Sequence, residues 1–331
     1  MTAIAMEEPE LGPSTRRFNW RLVVRWAIGL LLLIAVPSGY LMWRLSLLPS
    51  ETKLALSWPD GIPSQSSVQT QATRAKTPRG LILAPDPRLV DLQPSGLLPK
   101  IADDGSRPFE VYARPVSPTP EAVGQTPRIA ILLTEAGIGQ LATVEAMVTL
   151  PPEISIALSP YGSDLDRQAA DIRGEGHELM LDLSVRDPDL PSSLSASQTL
   201  SDALPLDENQ RRLDWALGRF PGFFAVTGRL ESRISGIGSV KLALDDVHLR
   251  GLGLLDLTTS GQVVALDAHL TPSAIDEALV RLEQKAHQEG TSIGVAQASP
   301  LAIDRLRNWN AGLAARGIRL VPVSALMQGV R

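Results

Sequence analysis

Residues 128–139 read RIAILLTEAGIG. Five consecutive apolar residues follow an arginine and give way to Thr-Glu and then to two glycines. Such a short apolar run, closed by polar and glycine positions, predicts a buried strand at 128–133. Equivalent runs recur at 154–159, 178–183, 223–227, 253–257, 263–268, 292–296 and 319–323. Stretches of helical period separate them near 140–150, 164–175, 207–219, 236–250, 273–289 and 300–316. Asp207 with Gln210 reads as a capping box, and Ser273 with Asp276 as a weaker one. Gly176, Gly251, Gly290 and Gly317 fall just past helices, where a left-handed cap favours glycine. Strand–helix alternation of this length predicts parallel strands joined by crossover helices, in a barrel-like or open α/β sheet. Site residues are then expected at the C-terminal ends of strands.

Upstream of this domain the chain changes character twice. Residues 26–43, WAIGLLLLIAVPSGYLMW, form an uncharged apolar run flanked by Trp26 and Trp43. A membrane span needs about 20 residues, and indole rings favour its two borders. Arg16, Arg17, Arg21 and Arg25 precede the run, so the N-terminus is expected in the cytoplasm. A cleaved signal peptide is the competing reading, but the run is long and no small-x-small site follows it. Between Pro49 and Pro127 the chain carries 13 of its 26 prolines. The reading is therefore a cytoplasmic N-terminus (1–21), a transmembrane anchor (22–44), a disordered linker (45–85), an extended pre-domain segment (86–127) and the α/β domain (128–328). Whether residues 86–115 cover a cleft is left open by the sequence.

Composition removes several chemistries. Cysteine is absent, which excludes disulfides, thiolate catalysis and Cys-ligated metals. The formal net charge is -5, so nothing suggests a nucleic-acid partner. No G-x-S-x-G elbow and no P-loop occur. Gly137-Ile-Gly139 lacks the third glycine of a dinucleotide loop. Four histidines are few for a His-rich metal site.

In order along the chain, several segments resemble the divergent polysaccharide deacetylase family. These are RIAILLTEAGIG; LPPEISIALSPY at 150–161; GHELMLDL at 176–183; LRGLGLLDLTTS at 249–260; and GIRLVPVS at 317–324. LPKIADDGSRPFEVYARP at 98–115 is similar to a pre-domain segment of some members. The resemblance implies a NodB-like fold, a distorted (β/α) barrel of seven or eight mostly parallel strands, here preceded by a transmembrane helix and a Pro-rich linker. It also implies a divalent metal held by one Asp and two His, with a second Asp as base.

This sequence departs from that pattern at the residues that matter. The family's Asp-Asp pair falls on Thr134 and Glu135. The histidine after its GHE strand falls on Asp182, and the glutamate of its Pro-Met-Glu-Pro run on Arg186. Its Asn-His-Met-Gly-Ser run falls on 225–229, which puts Val226 at a ligand histidine and Arg229 at the serine. Its Gly-His-Pro falls on 296–298, with Gln297 for the histidine. Asp256 is retained. Valine donates nothing to a metal and glutamine little, so no metal and no other cofactor is expected.

Glu135, Asp182 and Asp256 each end a predicted strand. If the three share one mouth, they are candidates for acid/base catalysis or for holding Mg²⁺ or Ca²⁺. Thr134, Arg186, Arg229 and Gln297 are candidates for binding a substrate. His177 is expected to serve structure. Three functions stay open: a deacetylase-like pseudoenzyme that binds an envelope glycan, an active carbohydrate hydrolase using the three carboxylates, and an envelope scaffold. In each, the protein is placed in the bacterial inner membrane with its domain in the periplasm.

Overall fold

The computed structural model describes residues 76–116, 126–186, 197–230, 238–258 and 263–327, all within one compact unit spanning Gln71–Arg331. The elements are β1 (Val90–Gln93), β2 (Gly96–Pro99), α1 (Pro108–Tyr112), β3 (Arg128–Ala136), α2 (Gln140–Thr149), β4 (Ser155–Leu158), α3 (Leu165–Gly174), β5 (Leu179–Asp182), α4 (Leu206–Leu217), β6 (Ala225–Gly228), α5 (Ser239–Leu249), β7 (Gly253–Asp256), β8 (Val263–Ala265), α6 (Pro272–Glu289), β9 (Thr291–Gln297), α7 (Pro300–Ala311) and β10 (Arg319–Leu320). Each predicted strand and helix of the α/β domain is present, with ends moved by a few residues. The predicted anchor at 22–44 lies outside the described residues. Among the described helices, none is long and apolar enough to cross a membrane.

Seven parallel strands run in the order β7-β6-β5-β4-β3-β9-β8, and β10 pairs in parallel with the start of β3. β7 and β8 lie at opposite edges, yet only residues 257–262 join them. That connection reaches about 25 Å at full extension. Seven strands laid flat at a spacing of about 4.8 Å would hold the edges about 29 Å apart. The sheet therefore curls into a half-barrel, open between β7 and β8.

Alternation along the strands sorts their side chains into two sets. Ile129, Ile131, Leu133, Ile156, Leu158, Leu179, Leu181 and Val226 pack outward with the helices. Ala130, Leu132, Ala157, Met180, Ala225, Leu255 and Ile293 fill the interior. The same interior cluster takes in Leu89, Phe109, Val111 and Tyr112 from the pre-domain segment, and Val321 and Val323 from the C-terminus. The segment therefore belongs to the fold, and its place settles which end of the barrel it covers. Phe109 N donates to Gly251 O just before β7, and the Phe109 ring meets Phe224 edge-on at 5.7 Å. Arg114 N donates to Glu178 just before β5. All of these contacts lie at the N-terminal ends of the strands, opposite the end where site residues are expected. The segment is also less extended than predicted, since it contains a hairpin and a helical turn.

The order begins earlier than composition suggests. Residues 76–85, read as the end of a disordered linker, are packed on the domain. Leu81 is buried, and Lys76 bridges to Ile82. Arg173 fixes this strap from the other side. Its Nη2 donates to Ile82 O at 2.7 Å, and its Nη1 to Tyr112 O and Gly222 O at 3.1 and 2.9 Å. The guanidinium lies over the Tyr112 ring, and burial pushes its pKa down to about 10. Proline and polar composition argued for a spacer, but carbonyl acceptors belong to any residue and leave no trace in composition.

The GHE segment closes the same end. Gly176 has φ 92°, His177 sets both ring nitrogens against the carbonyls of Ile154 and Met147, and burial pushes its pKa down. Its structural role is as expected. Glu178 is fully buried and accepts four hydrogen bonds: from Ser155 Oγ, Ser324 N, Ser324 Oγ and Arg114 N, at 2.6–3.1 Å. The predicted helix caps were misplaced. α4 starts after Pro205 with no side-chain cap, and Asp207 lies in its first turn, where it complements the helix dipole. Thr271, not Ser273, caps α6 by accepting from Ala274 N.

Two outcomes follow from this closed end. Glu178→Ala strands four donors in the interior and is expected to cost about 3 kcal/mol, a Tm fall of roughly 6–12 °C by calorimetry. A chain shortened to begin at Thr126 loses the interior packing of Leu89, Phe109 and Tyr112. It is expected to expose apolar surface to a fluorescent dye, whereas a chain beginning at Gln71 is not.

Candidate functional site

At the C-terminal ends of the strands the interior turns polar. On β3 the inward series Ala130, Leu132 continues to Thr134. By the same alternation β5 brings Asp182 and β6 brings Thr227. Asp182 pairs in register with Thr227, and Thr134 with Gln297, so each pair projects to one side of the sheet. Asp267, beyond β8, accepts from Gln297 N at 2.6 Å. An apolar barrel thus ends in a ring of hydroxyl, carboxyl and amide groups.

Glu135 joins this ring through an irregularity. The β3–β4 register shifts between Leu133 and Ala136, and Glu135 has φ 56°, a left-handed conformation that non-glycine residues seldom adopt. Two bonds hold it there. Its N–H donates to Asp182 Oδ2 at 2.8 Å, and its Oε1 accepts from Gln297 Nε2 at 2.9 Å. Strain of this kind, held by surrounding groups, is characteristic of functional sites. Asp182 is half-buried. Desolvation pushes its carboxyl up to about 7, and the neighbouring Glu135 carboxylate adds to the rise while the bond from Glu135 N opposes it. A carboxyl in this state both donates and accepts near neutral pH, while Glu135 presents an exposed carboxylate beside it.

The structure separates the candidates. Glu135, Asp182 and Gln297 come together, with Thr134 next to them. The Thr134 hydroxyl is occupied, donating to Ala296 O at 3.3 Å. Arg186 and Arg229 follow the ends of β5 and β6, and Arg229 is exposed.

Asp256 does not join them. Leu255 shares a rung with Thr227 and Asp182, so Asp256 falls on the opposite side of the sheet. There its Oδ1 accepts from Leu230 N, Thr258 N and Thr258 Oγ1 at 3.1, 2.9 and 2.6 Å, and it serves the turn. The expected convergence of three strand-end carboxylates is corrected by parity alone. Val226 likewise packs outward, and Thr227 faces the interior in its place, fully buried with its hydroxyl donating to Leu255 O at 3.1 Å. Gly228 lets these strands meet closely, since a Cβ there would lie 2.3 Å from Leu183 O. Asp267 and Thr227 escaped the sequence reading. Asp267 was accessible to the same strand-end argument that singled out Asp256.

These residues do not fit the divalent-metal centre that the family resemblance implies. Metal-activated water needs several imidazole or carboxylate donors aimed at one point, with a position left open. Among the described residues, no three His, Asp or Glu side chains form such a group. Glu135, Asp182 and Asp267 each have an oxygen engaged by a protein N–H.

Residues 131–327 match the family model for divergent polysaccharide deacetylases. The chain belongs to that family. Among solved structures, this divergent deacetylase domain is similar to an uncharacterized protein from Agrobacterium tumefaciens C58, at 31% identity and a TM-score of 0.64, over 70% of this chain and all of that one. It is also similar to the catalytic domain of a peptidoglycan N-acetylglucosamine deacetylase from Eubacterium rectale ATCC 33656, at 13% identity and a TM-score of 0.44, over 66% of this chain and 96% of that one. No curated protein matches the chain.

The Asp182 carboxyl gives the divergent deacetylase domain a testable pH dependence. Its folded pKa of about 7 exceeds the unfolded value, so the folded state holds the extra proton between the two. Stability from this group is complete below about pH 4 and is lost as pH rises towards 7. Asp182→Asn keeps an acceptor for Glu135 N and removes the titration. Its Tm relative to wild type is expected to rise between pH 4 and pH 8, and a flat difference would refute the assignment.

Proposed function

We propose that the polar mouth binds an N-acetylated saccharide of the cell envelope and performs no metal-dependent deacetylation. The observation that carries this reading is the bond from Gln297 Nε2 to Glu135 Oε1. It ties an amide to the carboxylate best placed to hold a metal, in a ring that contains no imidazole among Thr134, Glu135, Asp182, Asp267 and Gln297. Such a ring offers what a sugar requires: acceptors for hydroxyl groups and an amide to pair with an acetamido group. In this reading the anchor at 22–44 tethers the domain to the bacterial inner membrane, with the mouth in the periplasm.

The test uses the full chain with di-N-acetylchitobiose. Binding is expected by calorimetry, weakened at least about ten-fold in Glu135→Ala through loss of a charge-assisted hydrogen bond. No acetate is expected with stoichiometric Zn²⁺, Co²⁺ or Ni²⁺. Metal-dependent acetate release would overturn the proposal.

Two specific observations favour other readings. Asp182, whose carboxyl is pushed up to about 7 by burial, stands beside the Glu135 carboxyl in the form of an acid/base pair for hydrolysis. That reading requires turnover abolished by Asp182→Asn in a folded protein. An envelope scaffold would draw on α2, which leaves Leu141, Val144 and Val148 exposed along one face, continuous with Ile138.

A further inference from the structure

Two buried side-chain polar atoms among the described residues have no hydrogen-bond partner, Arg173 Nε and Arg186 Nε. Arg173 is accounted for, because its other nitrogens staple three carbonyls. Arg186 is not. Its backbone N–H donates to Leu200 O at 2.7 Å, but its guanidinium makes no hydrogen bond or ion pair among the described residues. A partly buried cation with no acceptor is costly to keep.

The backbone fixes the side on which this cation lies. Beyond β5 the chain stays extended. Leu183 N donates to Thr227 O, and Val185 bridges in parallel to Leu200. Leu183 and Val185 pack outward with the helix-facing core. Alternation then places Asp182, Ser184 and Arg186 together on the mouth side. Arg186 lies about 13 Å along the strand from Asp182. It stands at the end of the mouth away from the Glu135–Gln297 contact, and Arg229 follows the neighbouring strand.

We propose that Arg186 forms an anion subsite that reads a carboxylate carried by the bound saccharide. The inference rests on the saccharide reading of the mouth and adds an acidic substituent to the ligand class. A guanidinium presents paired N–H donors that match a carboxylate in two parallel bonds. Glu135 and Asp267 at the other end of the mouth disfavour a doubly charged phosphate more than a singly charged carboxylate. The sugar ring then lies over Asp182 and Gln297, with its acidic group directed along β5 towards Arg186.

The experiment compares two disaccharides on the full chain. Di-N-acetylchitobiose and N-acetylglucosaminyl-N-acetylmuramic acid differ by one lactyl ether, which carries the carboxylate. Wild type is expected to bind the acidic disaccharide about ten-fold more tightly, the value of one charge-assisted interaction. Arg186→Gln is expected to bring the two affinities together, and Arg186→Lys to keep part of the gap. Thermal melts of both variants identify a folding defect, and the wild-type comparison stands without either of them. If chitobiose binds and the acidic sugar binds no better, the Arg186 assignment fails while the saccharide reading survives. A full preference retained by folded Arg186→Gln has the same meaning. If neither sugar binds wild type, both ideas fall together.

Discussion

One buried carboxylate organises the closed end of this barrel. Glu178 collects donors from β4, from the pre-domain segment and from the C-terminal segment, all just ahead of β5. Four donors on one carboxyl group satisfy its oxygens within the protein itself, which is the condition for keeping it in an apolar interior. Glu178, the aromatic packing of Phe109 and the Arg173 staple close the N-terminal strand ends among the described residues. The division of labour follows from that: cohesion at one end and polar, partly strained chemistry at the other.

The mouth carries a donor set different from the one that the family resemblance implies. Glu135 keeps a left-handed conformation at the end of the first barrel strand, and the surrounding bonds over-determine it. Asp182 and Gln297 stand where the family resemblance placed histidines, and they use their polar atoms on Glu135. Glu135, Asp182 and Asp267 each have one oxygen engaged by a protein N–H, whereas a metal site leaves its donors free until the cation arrives. Asp256, which also ends a strand, lies on the opposite face of the sheet. Its three bonds close the turn after β7.

The architecture was largely legible in the chain. Short apolar runs, helical periods between them and glycines after helices placed every strand of the barrel, because those signals are local. Glu135, Asp182 and Gln297 were also legible, as polar residues ending apolar strands. Two errors concern the mouth. Asp256 was assigned to it as the end of a strand and Val226 by the family resemblance, although successive residues face opposite sides. A slip of one position exchanges mouth for core.

The sequence by itself determined the alternation of strands and helices, the absence of thiols, and which strand ends carry polar groups. Those properties are written residue by residue. Only the tertiary structure decided that residues 76–116 pack on the far end of the barrel, that Asp267 joins the mouth, and that Arg186 has no side-chain partner among the described residues. Each of these depends on which backbone carbonyls and which strand faces meet in space. Hydrogen bonds to main-chain atoms carry no sequence signature, and the facing of a side chain is fixed only once register and curl are set.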